Sequence, residues 1–276
     1  MSPAQNTSNT LTARYEQLQT IIRSYQKVII AYSGGVDSAF LLRVACDCLG
    51  SENILACIGD SQSLARDELS NAKNLAQQMN AQVEIVHPNE MADPDYQANP
   101  AQRCYHCKTH LYNLLNAIAR DRKYDAVFCG SNVDDLTDFR PGLQAAKKYN
   151  IVSPLAQAQL TKSDIRILSK QLQLPTWDKP ASPCLASRIA YGLEITPERL
   201  AQIEQGEAFL HKMNLGALRV RHHGTLVRLE VPTDQIQKLT ENNCREKIVA
   251  FFKELGFTYI TLDLQGFRSG SGNEVL

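Results

Sequence analysis

The 276-residue chain has no run of about eighteen consecutive apolar residues, which excludes a membrane-spanning helix. It has no excess of either charge. Lys plus Arg number 29 and Asp plus Glu number 29, so no global basic field recruits nucleic acid. Met1 to Thr10 are polar and lack the apolar core of a signal peptide. They read as a disordered tail over 1–10. No internal repeat or low-complexity tract is present. The G-x-x-x-x-G-K-[ST] spacing of a Walker A loop is absent too. Eight cysteines without an export signal read as the thiols of a cytoplasmic protein, not as a disulfide framework. Of these, Cys46, Cys48, Cys57, Cys129 and Cys244 sit in apolar or element-like segments and read as small buried side chains.

What is present is organised around Val28-Ile29-Ile30-Ala31-Tyr32-Ser33-Gly34-Gly35-Val36-Asp37-Ser38. Apolar residues run into a small-residue turn, and Ser38-Ala39-Phe40-Leu41-Leu42 resumes at helical spacing. The segment predicts strand, tight loop, helix. Glycine lets backbone approach a ligand closely. Amides at the helix start favour an anion. Ser33 and Ser38 add hydroxyl donors, and Asp37 can hold a metal ion against phosphate oxygens. The stretch is a candidate nucleotide-phosphate cradle. The competing reading is a plain glycine turn.

Apolar spacing from Leu11 to Tyr25 predicts a helix before a strand over 27–32. A helix over 37–49, a strand over 54–58, a helix over 64–79 and a strand over 83–86 follow. This alternation predicts an α/β fold, a Rossmann-like parallel sheet with helices on both faces. Ligands of such sheets bind beyond the carboxyl ends of the strands. Residues 89–102 read as a loop and 104–119 as a helix. A fourth strand over 125–130 opens into Ser131-Asn132-Val133-Asp134-Asp135. A turn over 138–142 and a fifth short strand over 151–155 come next. Thr161 caps a helix to Leu172, with Asp164 as a capping-box variant. Residues 177–192 show no period and are rich in proline and small residues, which marks a domain boundary. The nucleotide domain is therefore 11–189, and 190–276 is a smaller α+β domain. It holds a helix from Pro197, strands over 218–222 and 226–231, helices near 233–240 and 245–255, and a last strand over 259–264.

Cys104-Tyr105-His106-Cys107 places two thiols at the start of a helix, where the dipole favours thiolate. Three readings compete: a redox dithiol, half of a zinc site, or part of an iron–sulfur site with Cys184 as third ligand. Cys184 lies in the small-residue loop Ser182-Pro183-Cys184-Leu185-Ala186-Ser187-Arg188, with Arg188 near enough to favour its thiolate. Its bland reading is a buried loop thiol. Arg219 and Arg221 alternate along a predicted strand, so both face one side of the sheet. Two guanidinium forks there suit a phosphate or carboxylate, or else a solvated strand face.

The S-G-G-x-D-S pattern after an apolar strand resembles the PP-loop of the ATP pyrophosphatase superfamily, whose fold is adenine nucleotide alpha hydrolase-like. Further segments resemble one family within it, LarE. They are Phe139-Arg140-Pro141-Gly142, Ala181 to Arg188, Tyr191-Gly192, Arg219-Val220-Arg221 and Leu262 to Gly270. The resemblance spans nearly the whole chain after the tail. It implies a sulfurtransferase of nickel-pincer nucleotide biosynthesis that uses ATP and Mg²⁺ to adenylate the carboxylates of pyridinium-3,5-biscarboxylic acid mononucleotide and turn them into thiocarboxylates. By motif position, Ser33, Gly34, Gly35, Asp37, Ser38 and Gly130 would bind ATP. Ser187, Arg188, Arg219 and Arg221 would hold the substrate, with Glu207 close by. The resemblance also implies a homo-oligomer, a trimer or a hexamer built from trimers.

The chain departs from the family's best-known branch. That branch has one active-site cysteine, which gives up its own sulfur, and none at the positions of Cys104 and Cys107. Cys184 stands about one place from that cysteine in an ungapped comparison. Cys104, Cys107 and Cys184 instead resemble the branch with a [4Fe-4S] cluster that carries sulfide from a sulfur-donor system. The alternatives are sacrifice of Cys184, a tRNA thiolase, an amidotransferase and a nucleotide sensor.

Overall fold

The computed structural model describes residues 3–136 and 141–275. They form two compact units. One gathers the described residues up to Ser61, 66–90 and those within 104–182; the other gathers 62–65, 91–103 and the described residues from Pro183 on. A single cut at 189/190 does not foresee the two early segments in the second unit. They are tied in by hydrogen bonds. Asn99 Nδ2 donates to the carbonyls of Ala190 and Leu193 at 2.8 and 3.0 Å, and the Leu185 N–H donates to the Ser63 carbonyl at 2.7 Å.

In chain order the elements are helix α1 (Pro3–Arg23), strand β1 (Val28–Ala31), α2 (Val36–Leu49), β2 (Ile54–Gly59), α3 (Arg66–Gln78), β3 (Gln82–Val86), α4 (Pro94–Gln97), α5 (Arg103–Asp121), β4 (Ala126–Cys129), α6 (Val133–Leu136), α7 (Pro141–Lys148), α8 (Pro154–Gln157) and α9 (Lys162–Gln171). Then come α10 (Pro197–His211), β5 (Arg219–His223), β6 (Leu226–Glu230), α11 (Ile236–Thr240), α12 (Asn242–Glu254) and β7 (Tyr259–Leu262). Among the described residues, no helix is long and apolar enough to cross a membrane.

The first unit is built on a parallel sheet of order β3-β2-β1-β4. Val28 pairs with Ile54 on one side and with Ala126 on the other. Val28, Ile29 and Ile30 are fully buried. A strand covered on both faces reads as an unbroken apolar run, which is what the sequence shows. Ile29 packs with Leu55, Leu115 and Val127 on one face. The chain leaves β1 toward β2 and returns on the other side as β4. Such a reversal opens a crevice beyond the carboxyl ends of the two strands. Ser33 follows one of them and Gly130 the other.

Five expectations need correction. Helix α1 starts at Pro3 and so takes in most of the supposed tail. That stretch has no glycine, and its proline stands at the first helical position, where it costs no hydrogen bond. Residues 151–155 make only one parallel bridge, Phe128 with Val152. Pro154 has no N–H for a ladder and opens α8 instead. The turn over 138–142 gives way to α7 from Pro141, while 138–140, with Phe139 and Arg140 of the resemblance, lie outside the described residues. Residues 89–102 are not all loop, because Asp93 caps α4 and accepts the Asp95 N–H at 2.9 Å. Of the cysteines expected inside, Cys57 and Cys129 are buried, and Cys46, Cys48 and Cys244 are partly exposed.

In the second unit β5 and β6 form an antiparallel pair with Arg219 opposite Glu230, and β7 lies parallel to β6. Leu218, Val220, Val227, Leu229, Phe252 and Phe257 form its core. Each buried side chain of this size contributes about 1.5–3 kcal/mol.

Candidate active site

The turn after β1 depends on its glycines. Gly34 takes φ +70°, a conformation that side chains resist. A Cβ there would also stand 2.7 Å from the Ala72 Cβ, so α3 can lie against the turn only because the side chain is missing. At Gly130 a Cβ would come within 3.0 Å of the Ser38 nitrogen, so the end of β4 rests on the first turn of α2. Gly35 occupies the N-cap of α2 and brings no side chain to the orphan amides. Buried Ser38 holds the loop. Its hydroxyl accepts the Ser33 N–H at 3.2 Å, lies 3.1 Å from the Ser33 hydroxyl and donates to the Gly35 carbonyl at 3.3 Å.

Asp37 sits in the first turn of α2. Asn132 Nδ2 donates to its Oδ1 at 3.3 Å, and the Lys162 ammonium lies on its Oδ2 at 2.5 Å. Asn132 Oδ1 in turn accepts the Asp134 N–H at 2.9 Å, an Asx turn that fixes the strand end. On the other flank the Lys179 ammonium donates to Glu68 Oε2 at 2.7 Å and to the Gly34 carbonyl at 3.4 Å. Ser33, Gly34, Gly35, Asp37, Ser38 and Gly130 therefore meet at one place. Asn132, expected at the strand end but given no role, joins them, as do Lys162 and Lys179, which were missed. One signal existed for Lys162. It is the first residue of α9, where the helix dipole disfavours a cation, so an acidic partner outside the helix was to be sought. Lys179 lies in an aperiodic loop and offered no signal.

Cys104 and Cys107 stand one turn apart on α5, the first exposed and the second partly so. In the second unit Cys184 is exposed and heads the short turn Leu185–Arg188. Its carbonyl accepts the Ser187 hydroxyl at 2.7 Å and Arg188 Nη1 at 3.0 Å.

Arg188 Nη1 also donates to the Pro183 carbonyl, and the guanidinium closes on Glu207 through Nε and Nη2 at 3.0 and 3.2 Å. Glu207 further accepts the Val220 N–H at 3.2 Å. Arg221 closes on Glu230 through Nε and Nη2 at 3.0 and 3.1 Å, and its Nη1 donates to the Ser187 carbonyl at 3.1 Å. Ser187, Arg188, Glu207, Arg219 and Arg221 are thus neighbours. The two strand arginines differ, however. Arg221 is buried and engaged with a carboxylate. Arg219 is half-buried, with its guanidinium 5.1 Å from the Phe267 ring centre. Burial, and then the Arg188 charge, push Arg219 below the ordinary arginine value. An anion there would offset both.

A family model described as NAD synthase matches residues 10–126. The chain is 44% identical over 266 residues to the uncharacterized protein slr1717 of Synechocystis sp., covering 96% of this chain and 99% of that one. It is 34% identical over 267 residues to the pyridinium-3,5-bisthiocarboxylic acid mononucleotide synthase of Lactiplantibacillus plantarum, covering 97% and 96%. It is 32% identical over 244 residues to protein MJ0830 of Methanocaldococcus jannaschii, covering 88% and 92%.

Proposed function

We propose a function from the premise that this chain belongs to the LarE family of PP-loop enzymes. It is an ATP-dependent sulfur transferase that exchanges carboxylate oxygen for sulfur on pyridinium-3,5-biscarboxylic acid mononucleotide. The support is the turn at the β1–β4 crevice, where the Ser33 and Ser38 hydroxyls, the first turn of α2 and the Asp37 carboxylate meet, together with a relative named for the dithiolated product.

A substrate carboxylate oxygen attacks the α-phosphorus of ATP. The bond to the bridging oxygen breaks, and pyrophosphate leaves. Ser33, Gly34, Gly35 and Ser38 hold phosphate oxygens. A sulfur nucleophile then attacks the acyl carbon and AMP departs with the electron pair, leaving a thiocarboxylate. The sequence repeats on the second carboxylate. Ser187 and Arg219 hold the substrate phosphate, while Arg188, Glu207 and Arg221 keep that wall in shape. A homo-oligomer, trimer or hexamer, belongs to this reading.

Asp37 fits Mg²⁺, being a hard oxygen donor that already faces a cation in Lys162. Bound there, the metal neutralises charge on the phosphates during displacement. Cys104, Cys107 and Cys184 fit an iron–sulfur cluster in kind, since both ends of the set carry exposed thiols. Held by these thiolates, a cluster would supply sulfide from a donor system to the activated carboxylate. The exposure of Cys184 equally favours a second reading, in which its own sulfur is the nucleophile.

The test incubates the full chain with ATP, Mg²⁺, sulfide and the biscarboxylic mononucleotide without oxygen. One AMP and one pyrophosphate should appear per oxygen-to-sulfur exchange seen by mass spectrometry. Turnover of ATP with ammonia incorporated in place of sulfur would move the protein to the amidotransferases.

A further inference from the structure

Lys162 lies on the carboxylate that the reaction assigns to Mg²⁺. Both oxygens of Asp37 are engaged, Oδ1 by Asn132 at 3.3 Å and Oδ2 by the Lys162 ammonium at 2.5 Å. A divalent ion bound through Oδ2 competes with that ammonium for the same oxygen and is repelled by it at contact distance, so the ammonium weakens metal binding there. The lysine is held at its root. Its N–H donates to Asp134 Oδ2 at 2.7 Å, and Thr161 and Asp164 close a capping box around the same turn. Its head is looser. The side chain is 36% exposed, on a flexible four-carbon stem. The α9 dipole repels a cation at this end, which favours an anion outside the helix as its partner. Asn132 can keep Asp37 oriented when the ammonium leaves, because it binds the other oxygen.

We propose that Lys162 is a positioning residue that guards the metal seat. In the nucleotide-free enzyme it occupies Asp37 and keeps divalent ions off. On binding of ATP with Mg²⁺, the Lys162 ammonium would leave Asp37, which would then hold the metal, and would turn to a phosphate oxygen. This rests on the reading of the loop as an ATP phosphate cradle. The consequence is ordered loading, in which the metal enters with the nucleotide and not before it.

Binding of Mn²⁺ alone to the full chain tests this, read from the electron paramagnetic resonance of the free ion. Lys162→Met should bind Mn²⁺ about tenfold tighter than the parent. The gain should vanish in the Asp37→Asn, Lys162→Met double variant. Lys179→Met removes a cation of the same loop that lies on Glu68, and it should change Mn²⁺ affinity less than about twofold. Affinity for a Mg²⁺ complex of a non-hydrolysable ATP analogue should move the other way, about tenfold weaker in Lys162→Met. Opposite signs for metal alone and metal with nucleotide are the signature of a guard. Unchanged Mn²⁺ affinity in Lys162→Met would overturn the proposal. An equal gain in Lys179→Met, or a gain that survives Asp37→Asn, would also overturn it, since either reports general charge. Lys162→Gln serves if the methionine variant fails to fold. The Mn²⁺ result needs no nucleotide, so it stands or falls apart from the assigned reaction. Failure of the parent to bind the ATP analogue would count against the reaction instead.

Discussion

Arg221 and Glu230 are locked together inside the second unit, with side chains 10% and 0% exposed and two hydrogen bonds between them. Glu230 also takes Arg228 at 3.1 Å and the Ser271 hydroxyl at 3.1 Å. A buried pair adds little over an apolar pair, but losing one partner weakens the compensation of the other charge. Arg221→Ala leaves Glu230 with Arg228 and Ser271 and should cost about 2 kcal/mol of stability, read as a lowered urea midpoint. Arg219 is half-buried at the edge of the same wall. Arg219→Ala should cost under about 1 kcal/mol and raise the KM for the mononucleotide about tenfold. Equal stability losses in the two variants would refute this division of labour.

Gly34 and Ala72 meet closely enough to make a second prediction. Gly34→Ala adds a Cβ 2.7 Å from the Ala72 Cβ, at a φ of +70°. Strain and overlap should together cost about 2–4 kcal/mol in urea unfolding and weaken ATP binding. Gly34→Ala with Ala72→Gly removes the Cβ–Cβ overlap but leaves the new Cβ 2.9 Å from the Ala72 Cα, and leaves the strain, so less than half of the loss should return. Full recovery would mean that the Cβ–Cβ contact alone sets the cost.

How much of this was legible depended on whether the signal was local. Strand β1 was legible because Val28, Ile29 and Ile30 are buried on both faces and so form an apolar run. Thr161 and Asp164 were legible because a capping box is completed within four residues. Lys162 on Asp37 was not, since 125 residues separate them and no period links them. The fate of Arg221 was also hidden. Alternation placed Arg219 and Arg221 on one face, but only the pairing of β5 with β6 reveals that Glu230 occupies one fork. Val152 looked like a strand until Pro154 was weighed against it.

His222 makes a prediction about pH. Its Nδ1 accepts the Gly224 N–H at 3.2 Å, and its Nε2 lies 3.0 Å from Gln202 Oε1. Burial, then Arg199 and His223, lower it from 6.5 to about 4. The native state thus refuses a proton that the unfolded chain accepts between those values. Stability from this site is complete above about pH 6.5, falls through the window and levels off below about pH 4. Between pH 8 and pH 5 the loss should be on the order of 2 kcal/mol. Urea midpoints at the two pH values measure it, and His222→Gln should remove most of the difference, leaving the smaller share of His223, which burial also lowers. An undiminished slope in His222→Gln would place the titrating group elsewhere.

Cys104, Cys107 and Cys184 separate the two proposed sources of sulfur, and the outcomes diverge. A protein that consumes its own cysteine needs one, whereas Cys104 and Cys107 also stand on one turn with Cys104 exposed. If thiolates hold a cluster, protein reconstituted with iron and sulfide without oxygen should be brown, with broad visible absorption. Cys104→Ser, Cys107→Ser and Cys184→Ser should each bleach that colour and lower turnover by about a hundredfold or more. Intact-mass measurement after several turnovers should find Cys184 unchanged. If Cys184 is consumed, the protein stays colourless and turns over once per chain. Its mass falls by that of hydrogen sulfide, and Cys104→Ser and Cys107→Ser retain that single turnover. A colourless, iron-free protein with a shortened Cys184 would therefore retire the cluster and leave the proposed adenylation at the Ser33–Ser38 loop untouched.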